Sequence, residues 1–207
     1  MYEDKTSKVY AAYAKDELLR LSSSSGGVFS LLAEQILSQG GVVYGVALSS
    51  DCKSAEFIRV DQLRELFKLR GSKYLQAETG GTYDQVRADL EAGLKVLFSG
   101  VGCQINGLKL FLQRNYDNLF CVDVICHGVP SPVLWRKYVE HMQKQNEARL
   151  VLVNFRCKDK SWQDFGMKEL DENKKEVYIS KDADPFMQMF LRNYSLRPSC
   201  YECTAKK

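Results

Sequence analysis

The chain has 207 residues, of which 45% are hydrophobic and 27% charged, and its formal net charge is +3. These values are typical of a globular protein with a sizeable core, and they exclude a disordered or fibrous chain. No apolar run approaches the roughly 18 residues of a membrane helix, and the net charge is too small to indicate a nucleic-acid partner. The amino-terminal residues lack the apolar stretch of a secretory signal, so the sequence predicts a cytoplasmic protein.

The first predicted helix follows a run of serines and glycines, SSSSGGVF, at residues 22–29. Val28, Leu31, Leu32 and Ile36 recur at helical spacing, and paired glycines at residues 40–41 end the pattern. The sequence therefore predicts a helix that begins at the serine and glycine run and carries this apolar stripe.

The remaining elements alternate between strands and helices. Strands are predicted at residues 42–48 and 56–60, followed by short amphipathic helices within residues 61–69 and 82–93. Three more strands, at residues 95–99, 119–125 and 150–155, alternate with helices from about residue 104 and from Pro132. Such alternation predicts a parallel sheet with helical crossovers.

The last third of the chain has a different pattern. The segments GMKEL and EVYIS predict a hairpin, and Asp184 before Pro185 is typical of a helix start, as is Ser131 before Pro132. The predicted fold class is therefore α/β, with a mixed, largely parallel sheet, helical crossovers and a C-terminal hairpin and helix. No linker or repeat interrupts residues 1–207, which are predicted to form a single domain.

Three of the seven cysteines follow predicted strands. Cys103 follows the strand at 95–99, Cys126 ends the strand at 119–125, and Cys157 follows the strand at 150–155. Because the carboxyl ends of parallel strands share one edge of a sheet, we expect these cysteines at one crevice. A buried structural role is the alternative for Cys103, but its glycine-rich loop favours a ligand.

The remaining cysteines divide into a pair and two single residues. Cys200 and Cys203 form a Cys-x-x-Cys pair, which is typical of metal or cluster sites and also occurs in zinc knuckles and thiol–disulfide exchange proteins. Cys52 and Cys121 are interpreted as small structural residues. Without an export signal, this set indicates thiol, metal or cluster chemistry and not a disulfide framework.

Five ordered motifs carry a resemblance to a known family. The segments SSSSGGVFSLLAEQIL, GSKYLQ, VLFSGVGCQINGL, VDVICHGVPSPVLWRKY and LRPSCYEC resemble the beta subunits of coenzyme F-420 hydrogenases and dehydrogenases, including bacterial relatives. The resemblance runs from about Tyr10 to Cys203. It implies an iron–sulfur flavoprotein in which FAD lies next to a four-iron four-sulfur cluster.

The resemblance also implies site residues. Cys103, Cys126, Cys200 and Cys203 are the expected cluster ligands. The expected flavin contacts lie in the other motifs: Ser24, Ser25, Gly26, Gly27, Ser72, Lys73, Tyr74, Gln76, Ser99, Gly100, His127 and Gly128.

Elementary chemistry gives the serine and glycine run two interpretations. The unpaired N–H groups and positive dipole end of a helix amino terminus, with glycine and serine beside them, suit the pyrophosphate of FAD. The alternative is that the serines only cap the helix. Lys73 is likewise either a cation near the flavin or an ordinary solvated lysine. The accompanying motifs favour the cofactor in both cases.

The chain departs from the family pattern at three places. Val101 and Gly102 replace a Thr-Pro pair before Cys103, which predicts a looser loop, and Cys157 stands at a usually acidic position, as a local substitution. Family members commonly continue past the Cys-x-x-Cys pair, whereas this sequence stops four residues after Cys203. A fragment without its native extensions is therefore an expectation.

The predicted function is a flavin-dependent oxidoreductase that passes electrons between a cluster-containing donor and a two-electron acceptor through FAD. The resemblance implies a ferredoxin-like or hydrogenase/dehydrogenase electron-transfer partner and a small-molecule redox substrate, and it leaves a homo-oligomer open. The alternative is a non-enzymatic interaction module that a zinc ion or a cluster stabilises. The sequence names no catalytic residue.

Overall fold

The chain forms two β-sheets that share a core, and a computed structural model describes residues 8–206. The larger sheet has the strand order β3-β2-β1-β4-β5 and the smaller one β6-β7-β8. The strands are β1 (Val42–Leu48), β2 (Ala55–Val60), β3 (Ala77–Glu78), β4 (Val96–Val101), β5 (Leu119–Val124), β6 (Leu150–Cys157), β7 (Gly166–Asp171) and β8 (Glu176–Ser180).

Seven α-helices and two 3-10 helices connect or follow the strands within residues 8–206. The 3-10 helices span Leu63–Leu69 and Thr204–Lys206. The α-helices are α1 (Glu17–Leu21), α2 (Val28–Ser38), α3 (Thr82–Glu91), α4 (Gly102–Leu112), α5 (Pro132–Asn146), α6 (Pro185–Leu191) and α7 (Pro198–Tyr201). None of the helices in the described chain is long and apolar enough to cross a membrane.

The larger sheet is mixed and largely parallel, as predicted. β1 pairs in parallel with β4, β4 with β5, and β2 with β3, whereas β1 and β2 are antiparallel. The register of β4 and β5 places Val101 opposite Val124, at the carboxyl ends of both strands. Chain segments that follow these two residues therefore leave the sheet side by side.

The predicted place of the strand before Cys157 is wrong. β6 does not extend the parallel sheet but pairs antiparallel with β7, which pairs antiparallel with β8 in the predicted hairpin. β6 lies at the edge of the smaller sheet, and β5 remains at the edge of the larger one. Cys157 is consequently buried in the smaller sheet, with 3% of its surface exposed.

Helix α2 has the predicted bounds but buries only Ile36 of the predicted apolar stripe. Its buried residues are Ser30, Ala33 and Ile36, and the last two pack in a cluster with residues of β1, β2, β4 and the 3-10 helix at residues 63–69. Leu31 and Leu32 of the predicted stripe are 42% and 44% exposed. Small residues face the sheet because they let the helix approach it, and apolar periodicity alone does not register that preference.

A buried polar cluster fixes helix α6 against helix α5 and the smaller sheet. The Tyr138 hydroxyl lies 2.9 Å from Oε1 of Glu169 and 2.5 Å from Oδ2 of Asp184. Asp184 also caps α6 by accepting a hydrogen bond from the N–H of Met187, so both predicted caps are confirmed: Ser131 caps α5 in the same way. Glu169 and Asp184 are 1% and 0% exposed.

This cluster requires a buried proton. A single phenol proton cannot be donated to two carboxylates at once, so one carboxyl must be protonated and donate to the Tyr138 oxygen. Burial raises the pKa of both carboxyls, and Glu169 holds the proton more readily than Asp184, because its Oε2 is buried without a hydrogen-bond partner, whereas Asp184 accepts from a backbone N–H. Burial raises the pKa of Glu169 to about 7, and Asp184 and the thiol of Cys52 face it.

We predict that Glu169→Gln removes a pH dependence of stability. Because the folded-state pKa lies above the value of 4.5 for a free side chain, the contribution of the protonated Glu169 is complete at low pH and is lost between about pH 4.5 and 7. The free energy of unfolding of the parent should fall by up to about 3 kcal/mol across that range relative to the Gln variant. Urea unfolding at a series of pH values measures the difference.

Glu56→Gln, at an exposed position of β2, is the matched control and should leave the pH profile of the parent unchanged. Parallel pH profiles for the parent and Glu169→Gln would show that Glu169 is ionised in the folded protein and that the proton lies elsewhere.

Candidate functional site

Three cavities adjoin one another at the carboxyl ends of β4 and β5, and Val124 lines all of them. The serine-loop cavity, of about 340 Å³, lies at the start of α2. The central cavity, of about 190 Å³, lies between residues 71–77 and the ends of β4 and β5. The cysteine cavity, of about 450 Å³, lies between the start of α4, the loop after β5 and the C-terminal residues.

The serine-loop cavity contains four predicted residues, Ser24, Ser25, Gly26 and Gly27, together with the first turn of α2. The N-cap of α2 is Gly27, and no side chain in the described chain caps this end. The hydroxyls of Ser22 and Ser23 donate to the carbonyl oxygen of Leu19 instead. The serines are therefore not the caps of α2, and the first turn of the helix, whose N–H groups have no helical partner, lines the cavity.

Gly26 has a structural requirement of its own. A Cβ at this position would lie 2.9 Å from the carbonyl oxygen of Ala12 and 3.2 Å from Cα of Tyr13. The Gly26 carbonyl also accepts a hydrogen bond from the N–H of Ala14, at 2.7 Å. The missing side chain thus lets residues 12–14 pack against the serine loop, whatever the loop binds.

A direct contact joins two predicted flavin-binding segments that are remote in sequence. The Ser24 hydroxyl oxygen accepts hydrogen bonds from the N–H of Ser72, at 2.6 Å, and from the Ser72 hydroxyl, at 2.9 Å. Arg70, two residues earlier, lines the serine-loop cavity and donates to the Ser30 hydroxyl at the start of α2. The serine loop and the segment GSKY therefore form one wall.

Lys73 is held in place by backbone carbonyls. Its ammonium group donates to the carbonyl oxygens of Lys68, at 3.1 Å, and of Arg70, at 2.8 Å. Burial lowers its pKa to about 7. Lys73 is therefore not an ordinary solvated lysine, and an anion beside it would stabilise its charged form.

The central cavity is largely apolar and collects most of the remaining predicted residues. Ser72, Lys73, Tyr74, Ser99, Gly100 and Gly128 line it, together with the side chains of Val46, Leu69, Leu75, Val124 and Ile125. The Tyr74 ring stacks on the Phe190 ring of α6, with centroids 4.8 Å apart. This aromatic pair connects the central cavity to the helix that the buried polar cluster fixes.

Two predicted flavin contacts lie outside the lining of these cavities. The His127 ring packs edge-on against the Phe190 ring, with centroids 5.0 Å apart. The side-chain oxygen of Gln76 accepts a hydrogen bond from Arg197, at 3.1 Å. Both residues support neighbouring segments of the site.

All four predicted cluster ligands line the cysteine cavity. Cys103 lies in the first turn of α4 and Cys126 two residues after β5, so each follows the paired Val101 and Val124 by two residues. Cys200 lies in α7, and Cys203 follows that helix. Cys126 also lines the central cavity, so the two cavities share a wall.

Backbone contacts hold the Cys-x-x-Cys segment near the loop after β5. Pro130 and Leu196 form an isolated antiparallel bridge, and the N–H of Arg197 donates to the carbonyl oxygen of Val129 at 2.9 Å. Gly128 has a φ of +142°, and a Cβ there would lie 2.8 Å from Leu196. Glycine at this position therefore allows the close approach of the two segments.

The chemistry of the cysteine cavity fits an iron–sulfur cluster. Four thiols are the ligand set that such clusters use, and burial and the nearby thiols of Cys203 and Cys200 raise the pKa of Cys103. Among the described residues, no three side chains of His, Cys, Asp or Glu converge on the position of a single metal ion. A four-iron cluster needs wider spacing, because each thiolate binds a different iron.

The site contains polar residues that the sequence did not single out. Arg70 lines the serine-loop cavity, and Asp123 lies where that cavity meets the cysteine cavity. Both stand next to or within quoted motifs, Arg70 before GSKY and Asp123 within VDVICHG. A cation directly before a Gly-Ser segment was the available signal for Arg70.

The comparisons with known proteins agree on one family. Residues 9–81 match the model of the N-terminal part of the beta subunit of coenzyme F420 hydrogenase/dehydrogenase, and residues 93–207 match the model of its C-terminal part. No curated protein sequence matches the chain.

A solved structure shares the fold. It is a chain of the xenon-derivatised F420-reducing [NiFe] hydrogenase complex from Methanosarcina barkeri, with 13% sequence identity and a TM-score of 0.57. The alignment covers 92% of this chain and 63% of that one, so this chain spans less than two thirds of its length. With the family match over both halves of the sequence, the chain belongs to the family of coenzyme F420 hydrogenase/dehydrogenase beta subunits.

Proposed function

We propose that this chain is an iron–sulfur flavoprotein that passes electrons between a cluster-containing donor and a two-electron acceptor through FAD. The observation that carries the proposal is the meeting of three cavities at Val124: one with unpartnered helix N–H groups, one apolar and one lined by four thiols. These are the three environments that a pyrophosphate, a flavin ring and a cluster require.

The serine-loop cavity is the proposed site of the FAD pyrophosphate. The first-turn N–H groups of α2 would donate to phosphate oxygens, and Ser25 and the Arg70 guanidinium would supply further donors. The Ser24–Ser72 hydrogen bonds fix the wall between this cavity and the central one. The phosphate end of the cofactor is thereby oriented relative to its ring.

The central cavity is the proposed site of the flavin ring. Its apolar lining excludes water, and Ser99, Gly100 and Lys73 supply the polar groups along it. Tyr74 is held in one orientation by stacking on Phe190, so its rotamer is set before the cofactor binds.

The cysteine cavity is the proposed site of a four-iron four-sulfur cluster held by Cys103, Cys126, Cys200 and Cys203. When bound, FAD supplies hydride chemistry at its ring and the cluster supplies single-electron exchange. The chain's contribution is to keep the two sites adjacent, since Cys126 lines both cavities. Short separation without intervening solvent is what electron exchange needs.

The same family membership supports a proposal for the partner and the location. The similar solved chain is part of an F420-reducing hydrogenase complex. We propose that this chain likewise works with a ferredoxin-like or hydrogenase/dehydrogenase electron-transfer partner, in the cytoplasm, on a small-molecule redox substrate.

We predict that Cys200→Ser and Cys203→Ser lose the cluster. A hydroxyl is a poorer ligand for iron in such a site than a thiolate, and the cavity contains no spare cysteine among the described residues. Iron and sulfide contents of anaerobically purified protein should fall to near zero in both variants, and the visible absorbance of the cluster should disappear.

Cys121→Ser is the matched control, because Cys121 lies outside the cysteine cavity, on the half-buried edge strand β5. It should keep the iron and sulfide contents of the parent. Unchanged contents in the Cys200 and Cys203 variants would remove both from the ligand set, and a colourless parent with bound zinc would favour the structural module instead.

We predict that Ser25→Asp weakens FAD binding while leaving the apo-protein folded. A carboxylate close to the amino terminus of α2 interacts favourably with the helix dipole, yet it repels a pyrophosphate at the same place. The dissociation constant for FAD should rise at least tenfold, which corresponds to about 1.4 kcal/mol. Titration of the apo-protein with FAD measures it.

Ser25→Asn is the control of equal size without the charge, and its FAD affinity should stay within a few-fold of the parent. Melting temperatures of both apo-variants separate binding from folding. Equal FAD affinities for the Asp and Asn variants would mean that the phosphates bind elsewhere.

A further inference from the structure

A fourth cavity, of about 220 Å³, lies beside the serine loop and collects positive charge. The side chains of Arg70, Lys73 and Arg156 line it, together with the polar residues Ser22, Ser23, Ser24, Ser72 and Asn154. We call this cavity the basic pocket. None of its lining residues, all within the described chain, is acidic.

The three cations of the basic pocket have few compensating charges. The Nε of Arg70 donates to the Ser30 hydroxyl, and its Nη2 lies 3.5 Å from Oε1 of Glu34. Lys73 contacts only carbonyl oxygens in its hydrogen bonds, and the Nε of Arg156 is buried without a hydrogen-bond partner. A buried guanidinium N–H without an acceptor is costly, and an anion that accepts from it would remove that cost.

A further cation, Lys158, contacts the serine loop beside the basic pocket. The ammonium of Lys158 donates to the carbonyl oxygens of Ser23 and Arg20, which ties the end of β6 to the serine loop. Burial and then the charges of Arg156 and Arg20 lower the pKa of Lys158. Positive charge therefore repels positive charge around this pocket, a condition that a bound anion relieves.

The volume of the basic pocket and its hydrogen-bond donors indicate which class of anion fits it. Its volume is several times the ~30 Å³ that a water molecule occupies in the liquid, so a group of several heavy atoms can enter. Guanidinium forks, an ammonium and serine hydroxyls are the donors that proteins combine around phosphate. The Trp162 and Phe165 rings flank the Arg156 guanidinium at 4.9 and 4.5 Å, which restricts its orientation.

We propose that the basic pocket is a binding site for the phosphate group of a phosphorylated ligand, with Arg156 as its principal side-chain donor. The pocket shares Ser23, Ser24, Arg70, Gly71 and Ser72 with the serine-loop cavity. Its phosphate therefore belongs either to the cofactor proposed above or to a second ligand bound beside it. The proposal that the basic pocket binds a phosphate group is the same for both sources.

Titration of the full chain in its cofactor-free form with inorganic phosphate, by calorimetry, tests the site. The parent should bind phosphate saturably, and Arg156→Gln should weaken binding at least tenfold. Arg149→Gln is the control, because this arginine precedes the same strand but its side chain is 80% exposed and paired with Glu172. It should bind phosphate as the parent does.

Arg156→Lys covers the case in which the Gln variant fails to fold. It keeps the charge but loses the forked donors, and it should bind phosphate several-fold more weakly than the parent. Absence of saturable binding to the parent, or parental affinity in a folded Arg156 variant, would overturn the proposal.

The same titration after saturation with FAD identifies the source of the phosphate. Competition between FAD and phosphate, together with weaker FAD binding in the Arg156→Gln variant, supports the basic pocket as the binding site of a cofactor phosphate. Undiminished phosphate binding to the FAD-loaded protein supports a separate phosphorylated ligand. If FAD does not bind at all, the flavin proposal fails, and the phosphate titration still shows whether the basic pocket binds phosphate.

Discussion

The parallel pairing of β4 with β5 is the constraint on which the site depends. Its register places Val101 opposite Val124, and the chain then supplies a cysteine two residues beyond each partner. In an antiparallel pair these two loops would leave from opposite ends of the sheet, and Cys103 and Cys126 could not line one cavity. The Cys-x-x-Cys segment needs only to dock on this edge, which the Pro130–Leu196 bridge achieves.

The second constraint is the contact between segments that are remote in sequence. Ser24 and Ser72 share hydrogen bonds, Arg70 reaches Ser30, and Lys158 reaches the carbonyl of Ser23. Each bond alone contributes modestly to stability, on the order of 1 kcal/mol. Together they fix the serine loop and the start of α2 against residues 70–72 and against the end of β6, which form the walls of the adjoining cavities.

Local sequence patterns predicted most of the helices and strands. They failed where tertiary packing determines which face of a helix is buried or which strand another strand pairs with. The bounds of α2 and β1 and the caps Ser131 and Asp184 follow from short-range rules, and they are confirmed. The apolar stripe of α2 is buried only at Ile36, because Ser30 and Ala33 let the helix approach the sheet more closely than leucine would. The partner of β6 was wrong because strand alternation does not state which sheet a strand joins.

The same distinction applies to the candidate site, where some residues could be predicted from the sequence and others could not. Strand ends placed Cys103 and Cys126 at one edge, since a parallel sheet brings such ends together, but the same argument wrongly added Cys157, which is buried in the smaller sheet. The family resemblance added Cys200 and Cys203. Arg156 and Asp123 could not be assigned to the site, because each becomes part of a cavity only through the packing of segments remote in sequence, and the signal for Arg70 was only its place before a Gly-Ser segment. Charged residues also occur everywhere on protein surfaces, so a single one carries little signal before its neighbours are known.

Positive and negative side chains lie at different cavities of the site. Cations stand at the serine-loop cavity and the basic pocket, whereas the carboxylate of Asp123 stands where the serine-loop and cysteine cavities meet. Under the proposed function, this carboxylate opposes the entry of phosphate into the cysteine cavity and leaves the apolar central cavity for the ring. Under the same proposal, a negative charge at this boundary would also disfavour the more reduced and more negative state of a cluster in the cysteine cavity.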